Sequence, residues 1–297
     1  MRSEIDVITP HSLDEALTIL DATRDGLKVV AGGSDVIVQL RDGVIRPQKL
    51  LNILSLKELR FLRKEENRIH IGALSTYHDI TASPLTRDYA WPLVDASRQI
   101  GAVQLQNTAT LGGNLGNASP AADTLPPLYA LDAVVVARSK RGTRDIPIEQ
   151  FYVSYRKTAL KPDELITEVH FKGLGQEDRG SYRKLGLREA NAISIVDVAT
   201  VLRDQDTRGT FREARVALGA VAPTIRRARV CEEALTREPI TREIMRKASS
   251  LANDDAVPID DIRGSAQYRK AVVASLVYEA LEEAIFGLNS GGSTNES

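Results

Sequence analysis

The sequence predicts an α+β protein of several folded units, and three observations carry that prediction. At 297 residues the chain is longer than one hydrophobic core ordinarily serves. Up to about residue 57 short β-branched runs alternate with helical periodicity, and beyond it strand-like pieces and short helices follow in a different pattern. A charged stretch from Lys172 to Gly180, carrying Gly173, Gly175 and Gly180, then precedes two long strand candidates and three helices, as a linker would. The expected units are 1–57, 58–175 and 176–288, with a Gly/Ser/Asn-rich tail, 289–297, expected to be disordered.

In chain order, Ile5 to Ile8 reads as a strand. Ser12 and Glu15 have capping-box spacing, and Leu13, Ala16, Leu17 and Leu20 share one face of the helix they open. Gly26 stops that helix. Leu27 to Ala31 is a β-branched strand, followed by a Gly-Gly-Ser turn, an apolar helix-like segment from Val36 to Leu40, and a short strand near Leu50 to Ile53. The next unit offers strands at Ile69 to Ala73, Ala133 to Ala137 and Ile166 to Phe171, with helices around Thr76 to Ala82 and Trp91 to Ile100. Ser194 to Leu202 and Phe211 to Ala217 read as strands paired through the polar turn Asp204 to Gly209. The longest helix is expected from about Ser265 to Phe286, with Val272, Val273, Leu276, Val277, Leu281 and Ile285 toward one side.

Composition excludes several functions. Lys and Arg total 39 against 40 Asp and Glu, a net charge of −1, so no global field draws nucleic acid or an anionic membrane. The basic run Arg226-Arg227-Ala228-Arg229 lacks interleaved aromatics and reads as a solvated or partner-docking face. Cys231 is the sole cysteine, so no internal disulfide forms and no iron–sulfur cluster, which takes about four cysteines, can sit on this chain. The four histidines are scattered, short of the clustered ligands a zinc site needs, and no Gly-x-Ser-x-Gly elbow is present. No run approaches membrane-span length, and Met1 to Ile8 does not resemble a signal peptide. A cytoplasmic location is expected, with no metal and no catalytic residue on the chain.

Two glycine turns carry the chemistry. Val29-Val30-Ala31-Gly32-Gly33-Ser34-Asp35-Val36 runs from a strand into a turn and a following segment, and Thr110-Leu111-Gly112-Gly113-Asn114 opens a run of small residues ending at Asp123. Paired glycines let successive amides approach an anion and aim at one point. The same residues also build ordinary tight turns. Neither turn is a dinucleotide fingerprint or a P-loop. Asp123 precedes the apolar run Leu125 to Leu131, where its carboxylate could cap a helix or accept from ribose hydroxyls.

These two turns, their separation, Lys184-Leu185-Gly186-Leu187-Arg188 and Ala217-Leu218-Gly219-Ala220-Val221-Ala222-Pro223-Thr224 closely resemble the FAD-binding medium subunit of the molybdenum hydroxylases, the xanthine dehydrogenase and carbon monoxide dehydrogenase flavoproteins. The resemblance covers most of the chain. It implies a two-subdomain FAD-binding fold of the PCMH (vanillyl-alcohol oxidase-like) type, followed by a C-terminal α+β domain with a small antiparallel sheet and helices. It implies that Val29 through Val36 form the first flavin loop and Thr110 through Asn114 the second. Asp123 then lies near the adenosine end, Ile100 and Ile166 line the cofactor, and Lys184 contacts it, with Arg188 a weaker match. A large molybdopterin-binding subunit, a small subunit with [2Fe-2S] centres, and a final acceptor such as NAD or quinone are the implied partners. The rival readings are a self-contained flavin oxidase or reductase, for which no acid or base stands out near either turn, and a non-enzymatic nucleotide-binding module.

Overall fold

The computed structural model describes residues 5–23 and 26–287; the tail expected to be disordered lies outside the described residues. The chain begins with β1 (Asp6–Ile8), α1 (Leu13–Ala22), β2 (Leu27–Val30), α2 (Val36–Arg41) and β3 (Lys49–Asn52). The strands lie in the order β1-β3-β2, with β1 and β2 both parallel to β3. Parallel neighbours need crossovers, which α1 and α2 belong to. Helix α1 buries Leu13, Ala16, Leu17 and Leu20 against Leu51, Leu56, Leu59 and Leu165, each buried leucine contributing roughly 1.5–3 kcal/mol. Only half of the expected capping box forms. Ser12 accepts from the Glu15 amide at 3.2 Å, while the Glu15 carboxylate accepts from the amide of His11 at 2.7 Å.

The next stretch comprises β4 (Leu62–Glu65), β5 (Arg68–Gly72), α3 (Tyr77–Ala82), α4 (Pro84–Tyr89), α5 (Trp91–Arg98), α6 (Val103–Thr108), α7 (Leu111–Asn117), α8 (Leu125–Ala130), β6 (Val134–Ser139), β7 (Gly142–Pro147), α9 (Ile148–Phe151), β8 (Tyr152–Ser154), β9 (Lys157–Thr158) and β10 (Leu165–Lys172). Five of these strands form a sheet in the order β4-β5-β10-β6-β7, and its neighbours pair antiparallel. Helix α3 has a complete capping box between Thr76 and Asp79.

The remainder is β11 (Arg179–Gly186), β12 (Ser194–Gln205), β13 (Phe211–Gly219), β14 (Arg226–Arg227), α10 (Arg229–Thr236), α11 (Arg242–Leu251) and α12 (Ala266–Phe286). The strands pair antiparallel in chain order. Because successive strand residues point to opposite faces, this sheet serves two cores. Tyr182, Ala199, Val201 and Ala217 join the central core with Leu93, Leu111 and Leu125, and Val196, Val198, Leu202 and Leu218 pack with residues of α10, α11 and α12. The stretch read as a linker is anchored at both ends. Buried Arg203 donates to the carbonyls of Lys172 and Gly173 and to Asp178, and the Trp91 indole N–H donates to the Gly180 carbonyl.

Candidate functional site

A cleft of about 300 Å³ opens between the parallel sheet and the α3–α7 region. One wall is the turn after β2. Gly33 sits at φ +73°, and a Cβ on Gly32 would lie 1.8 Å from the carbonyl oxygen of Thr108, so both positions require glycine. Among the described residues the amides of Gly32, Gly33 and Ser34 donate to no protein acceptor. Successive unpaired amides at a bend form an anion-binding concavity.

The second glycine stretch behaves differently from its expected role. Thr110 through Asn114 is not an open loop but the cap and first turn of α7, and the amides from Leu111 to Asn114 are already taken. Leu111 donates to the Ser75 carbonyl, Gly112 to the Ala73 carbonyl at 2.8 Å, and Gly113 to the Thr110 hydroxyl at 3.1 Å. Its glycines supply room instead of donors. A Cβ at Gly112 would stand 2.7 Å from that of Ala73, whereas at Gly116 the nearest atom would be Cδ1 of Ile166, 3.9 Å away, leaving bare helix backbone on the second wall. The Asn114 side chain accepts from Thr124 at 2.6 Å through Oδ1, which leaves Nδ2 as a donor on this wall.

The walls are tied together across the cleft. Asn117 Nδ2 donates to Asp35 at 2.9 Å, and Gln39 Nε2 donates to Asn117 Oδ1 at 2.9 Å. Burial pushes the Asp35 carboxyl up, and Arg156 and Asn117 oppose that. Tyr77, also in the cleft, is raised above the tyrosine range by burial and by the charges of Asp123 and Asp35. Glu164 is held low by its hydrogen bonds from Arg144. At neutral pH the cleft therefore offers a protonated phenol and two carboxyls, Glu164 held by Arg144 and Asp35 held by Asn117.

Of the sequence-expected residues, Val29, Ala31, Gly32, Gly33, Ser34, Asp35, Val36, Thr110, Gly112, Gly113, Asn114 and Ile166 line this cleft. Val30 and Leu111 are buried behind it. Ile100 packs against the central core, and Arg188 turns onto the Asn191 carbonyl in its own hairpin. Asp123 neither caps α8, whose cap is Thr124, nor lines the cleft. Its carboxylate accepts from Lys184 at 2.6 Å and from Ser194 at 2.6 Å, and Lys184 also donates to the Gln99 carbonyl. Sequence reasoning missed Tyr77, Leu160, Glu164 and Leu165 in the lining; Gly116 and Asn117, which also line it, belong to the small-residue run from Thr110 to Asp123, and Leu165 lies beside Ile166.

Fold and cleft together define a class: an α+β chain whose cleft, between an amide-lined turn and a glycine-faced helix, has the shape and donors for a long, phosphate-bearing cofactor. The residues fit a dinucleotide, since the free amides suit its diphosphate and the bare backbone of α7 admits close approach. Residues 3–171 match the FAD binding domain in molybdopterin dehydrogenase, and residues 181–284 the CO dehydrogenase flavoprotein C-terminal domain; the chain belongs to this family. It is 31% identical to the nicotinate dehydrogenase FAD-subunit of Eubacterium barkeri over 97% of this chain and 98% of that one. It is 30% identical to the xanthine dehydrogenase FAD-binding subunit of Escherichia coli O157:H7, over 92% and 94%. A carbon monoxide dehydrogenase structure from Hydrogenophaga pseudoflava, lacking the Mo-pyranopterin moiety, superimposes with a TM-score of 0.91 at 28% identity, covering 96% of this chain and 98% of that one. The chain is thus an FAD-binding subunit of an oxidoreductase, and no helix among its described residues is long and apolar enough to cross a membrane.

Proposed function

We propose that this chain is the electron-transfer subunit of a molybdenum hydroxylase. A large molybdopterin-bearing partner oxidises the substrate, a small partner relays electrons through iron–sulfur centres, and this chain delivers them to a final acceptor such as NAD or a quinone. The observation that carries the reading is the cleft itself, with three unpartnered amides on one wall and its two carboxyls, Asp35 and Glu164, already engaged by Asn117 and Arg144. When bound, FAD supplies the capacity to take up electrons singly and release them in pairs.

The chain's own residues bind and orient. The amides of Gly32, Gly33 and Ser34 hold the diphosphate; Thr110, Gly112, Gly113 and Asn114 present the opposite wall, with Gly113 and Gly116 admitting close approach. Val29, Ile166, Leu160 and Leu165 exclude water along the cofactor's length. Lys184 and Asp123 act as a neutral pair beside this region, so the cation favours a reduced, anionic ring less than an unpaired lysine would. In this reading 1–57 and 58–175 are the two units that close on the cofactor, and 176–288 carries Lys184, paired with Asp123, behind the cleft.

The test is to purify the full chain alone and with its two partner subunits. The reading expects FAD bound in both preparations, and reduction of that FAD by the hydroxylase substrate only in the assembly. Steady-state oxidation of a small alcohol or amine by the isolated chain would instead favour a self-contained flavoenzyme.

A further inference from the structure

Behind the cleft lies a buried cluster whose charges do not balance. Its members are Lys184 and Tyr182 on β11, Ser194 and Asp197 on β12, and Asp123 ahead of α8. Ser194 and Asp197 are 0% exposed, Tyr182 is 3% exposed, and the Lys184 and Asp123 side chains are 6% and 9% exposed. Two carboxyls thus share one ammonium, and Lys184 spends its hydrogen bonds on Asp123 and Gln99. Asp197 receives a single side-chain contact, 3.1 Å between its Oδ2 and the Tyr182 hydroxyl, and its Oδ1 has no partner. Asp123 also faces this hydroxyl, and Ser194 lies against it.

A buried carboxylate whose contacts are a neutral hydroxyl and its own amide, in a cluster whose one ammonium is bonded to another carboxylate, is unstable relative to its protonated form. We propose that Asp197 is a neutral, protonated acid that donates to the Tyr182 oxygen, so that the Tyr182 hydroxyl donates to Asp123 and holds that carboxylate against Lys184. Asp197 is then a positioning residue, acting through Tyr182 and Asp123 on the cofactor region. Its relation to the cofactor rests on the reading above; its protonation does not.

The groups facing Asp197 agree with this direction. From β11 come Tyr182 and Lys184, whose Cα is the register partner of Asp197; from the segment before α8 comes Asp123. On β13 the facing residue is Gly219, where a Cβ would lie 2.1 Å from Asp197 Oδ1, and on α8 it is Pro126; neither carries charge. Burial pushes the Asp197 carboxyl well above the carboxylate range, Asp123 adds to this, and Tyr182 and Lys184 oppose it. Burial raises Asp123 too, but Lys184, Ser194 and Tyr182 each oppose that.

The sign of the consequence is fixed. The folded chain keeps a proton that the unfolded chain releases near pH 4, so wild-type stability falls as pH rises, until the folded carboxyl itself ionises. Asp197→Asn, a neutral isostere, lacks this dependence. The unfolding constant of the full wild-type chain relative to that of Asp197→Asn is expected to rise about tenfold per pH unit between pH 5 and 7. A ratio independent of pH overturns the proposal. Should the variant not fold, the Asp197 carboxyl ¹³C resonance of the wild type decides: a protonated shift at pH 7 supports the proposal and an ionised one refutes it. Positioning is read separately in FAD titrations of the full chain. Asp197→Leu is expected to weaken FAD about fivefold, one hydrogen bond's worth, and Asp197→Asn, which keeps a donor, to restore it. Wild-type affinity in the leucine variant overturns the positioning role, whereas a wild-type chain that binds no FAD sinks the cofactor reading and leaves the pH slope to judge the proton.

Discussion

Replacing Gly32 by alanine tests the amide-lined turn most sharply. The new Cβ would lie 1.8 Å from the Thr108 carbonyl oxygen and 2.6 Å from its carbon, where real Cβ atoms essentially never come within 3.0 Å. Both sides are backbone, so no flexible side chain absorbs the clash. The turn or the Thr108 peptide must retreat by roughly an ångström, about twice the 2.7–3.2 Å window within which an N–H···O bond survives. If one or two of the three amides lose a phosphate oxygen, at roughly 1.5–3 kcal/mol for each charge-assisted bond, about 3 kcal/mol of binding disappears. FAD affinity should then fall on the order of a hundredfold. The assay is quenching of flavin fluorescence on titrating the apo chain, with circular dichroism to establish that the variant is folded. A folded Gly32→Ala chain that binds FAD within threefold of wild type would refute the assignment of the diphosphate to this turn.

Other perturbations follow from the same geometry. Gly116→Ala meets nothing nearer than Ile166 Cδ1 at 3.9 Å, so it should raise the apo chain's stability by up to about 1 kcal/mol through helix propensity while weakening FAD by narrowing the cleft; thermal melts and titrations check both. Lys184→Met strands a buried carboxylate and should destabilise the fold by about 3–5 kcal/mol, most of it recovered in Lys184→Met/Asp123→Asn, as denaturant unfolding would reveal. Glu164 is held low chiefly by the bidentate Arg144 contact, both distances 2.8 Å, so its stabilisation is present above about pH 4.3 and is lost as pH falls through the folded value. The wild-type advantage over Glu164→Gln should therefore shrink on acidification, and urea midpoints taken from pH 6 down to 3 measure it.

What could be read from the sequence was local. Helix α1, the turn after β2, the hairpin of β12 and β13, and α12 announce themselves through periodicity or glycine placement, and the structure contains each of them. Helix α7 was hidden because Leu-Gly-Gly-Asn-Leu-Gly-Asn is intrinsically a poor helix former; the Thr110 cap and the distant carbonyls of Ala73 and Ser75 hold its first turn. Strand β11 was equally obscure, since Arg179 to Gly186 mixes charge and glycine and owes its conformation to pairing with β12. At the site, the first turn's residues were visible as a set. The partnership of Asp123 with Lys184 was not, because the two lie 61 positions apart and only the packing of α8 on the second antiparallel sheet brings them together.

The central claim is that the diphosphate of FAD rests on the turn after β2, opposite the glycine face of α7. A crystal structure of the FAD-reconstituted chain measures this directly. The account predicts diphosphate oxygens about 2.7–3.2 Å from the amide nitrogens of Gly32, Gly33 and Ser34, with the α7 amides still bonded to Ser75, Ala73 and Thr110. A diphosphate seated elsewhere, or an α7 unwound to bind it, would contradict the account.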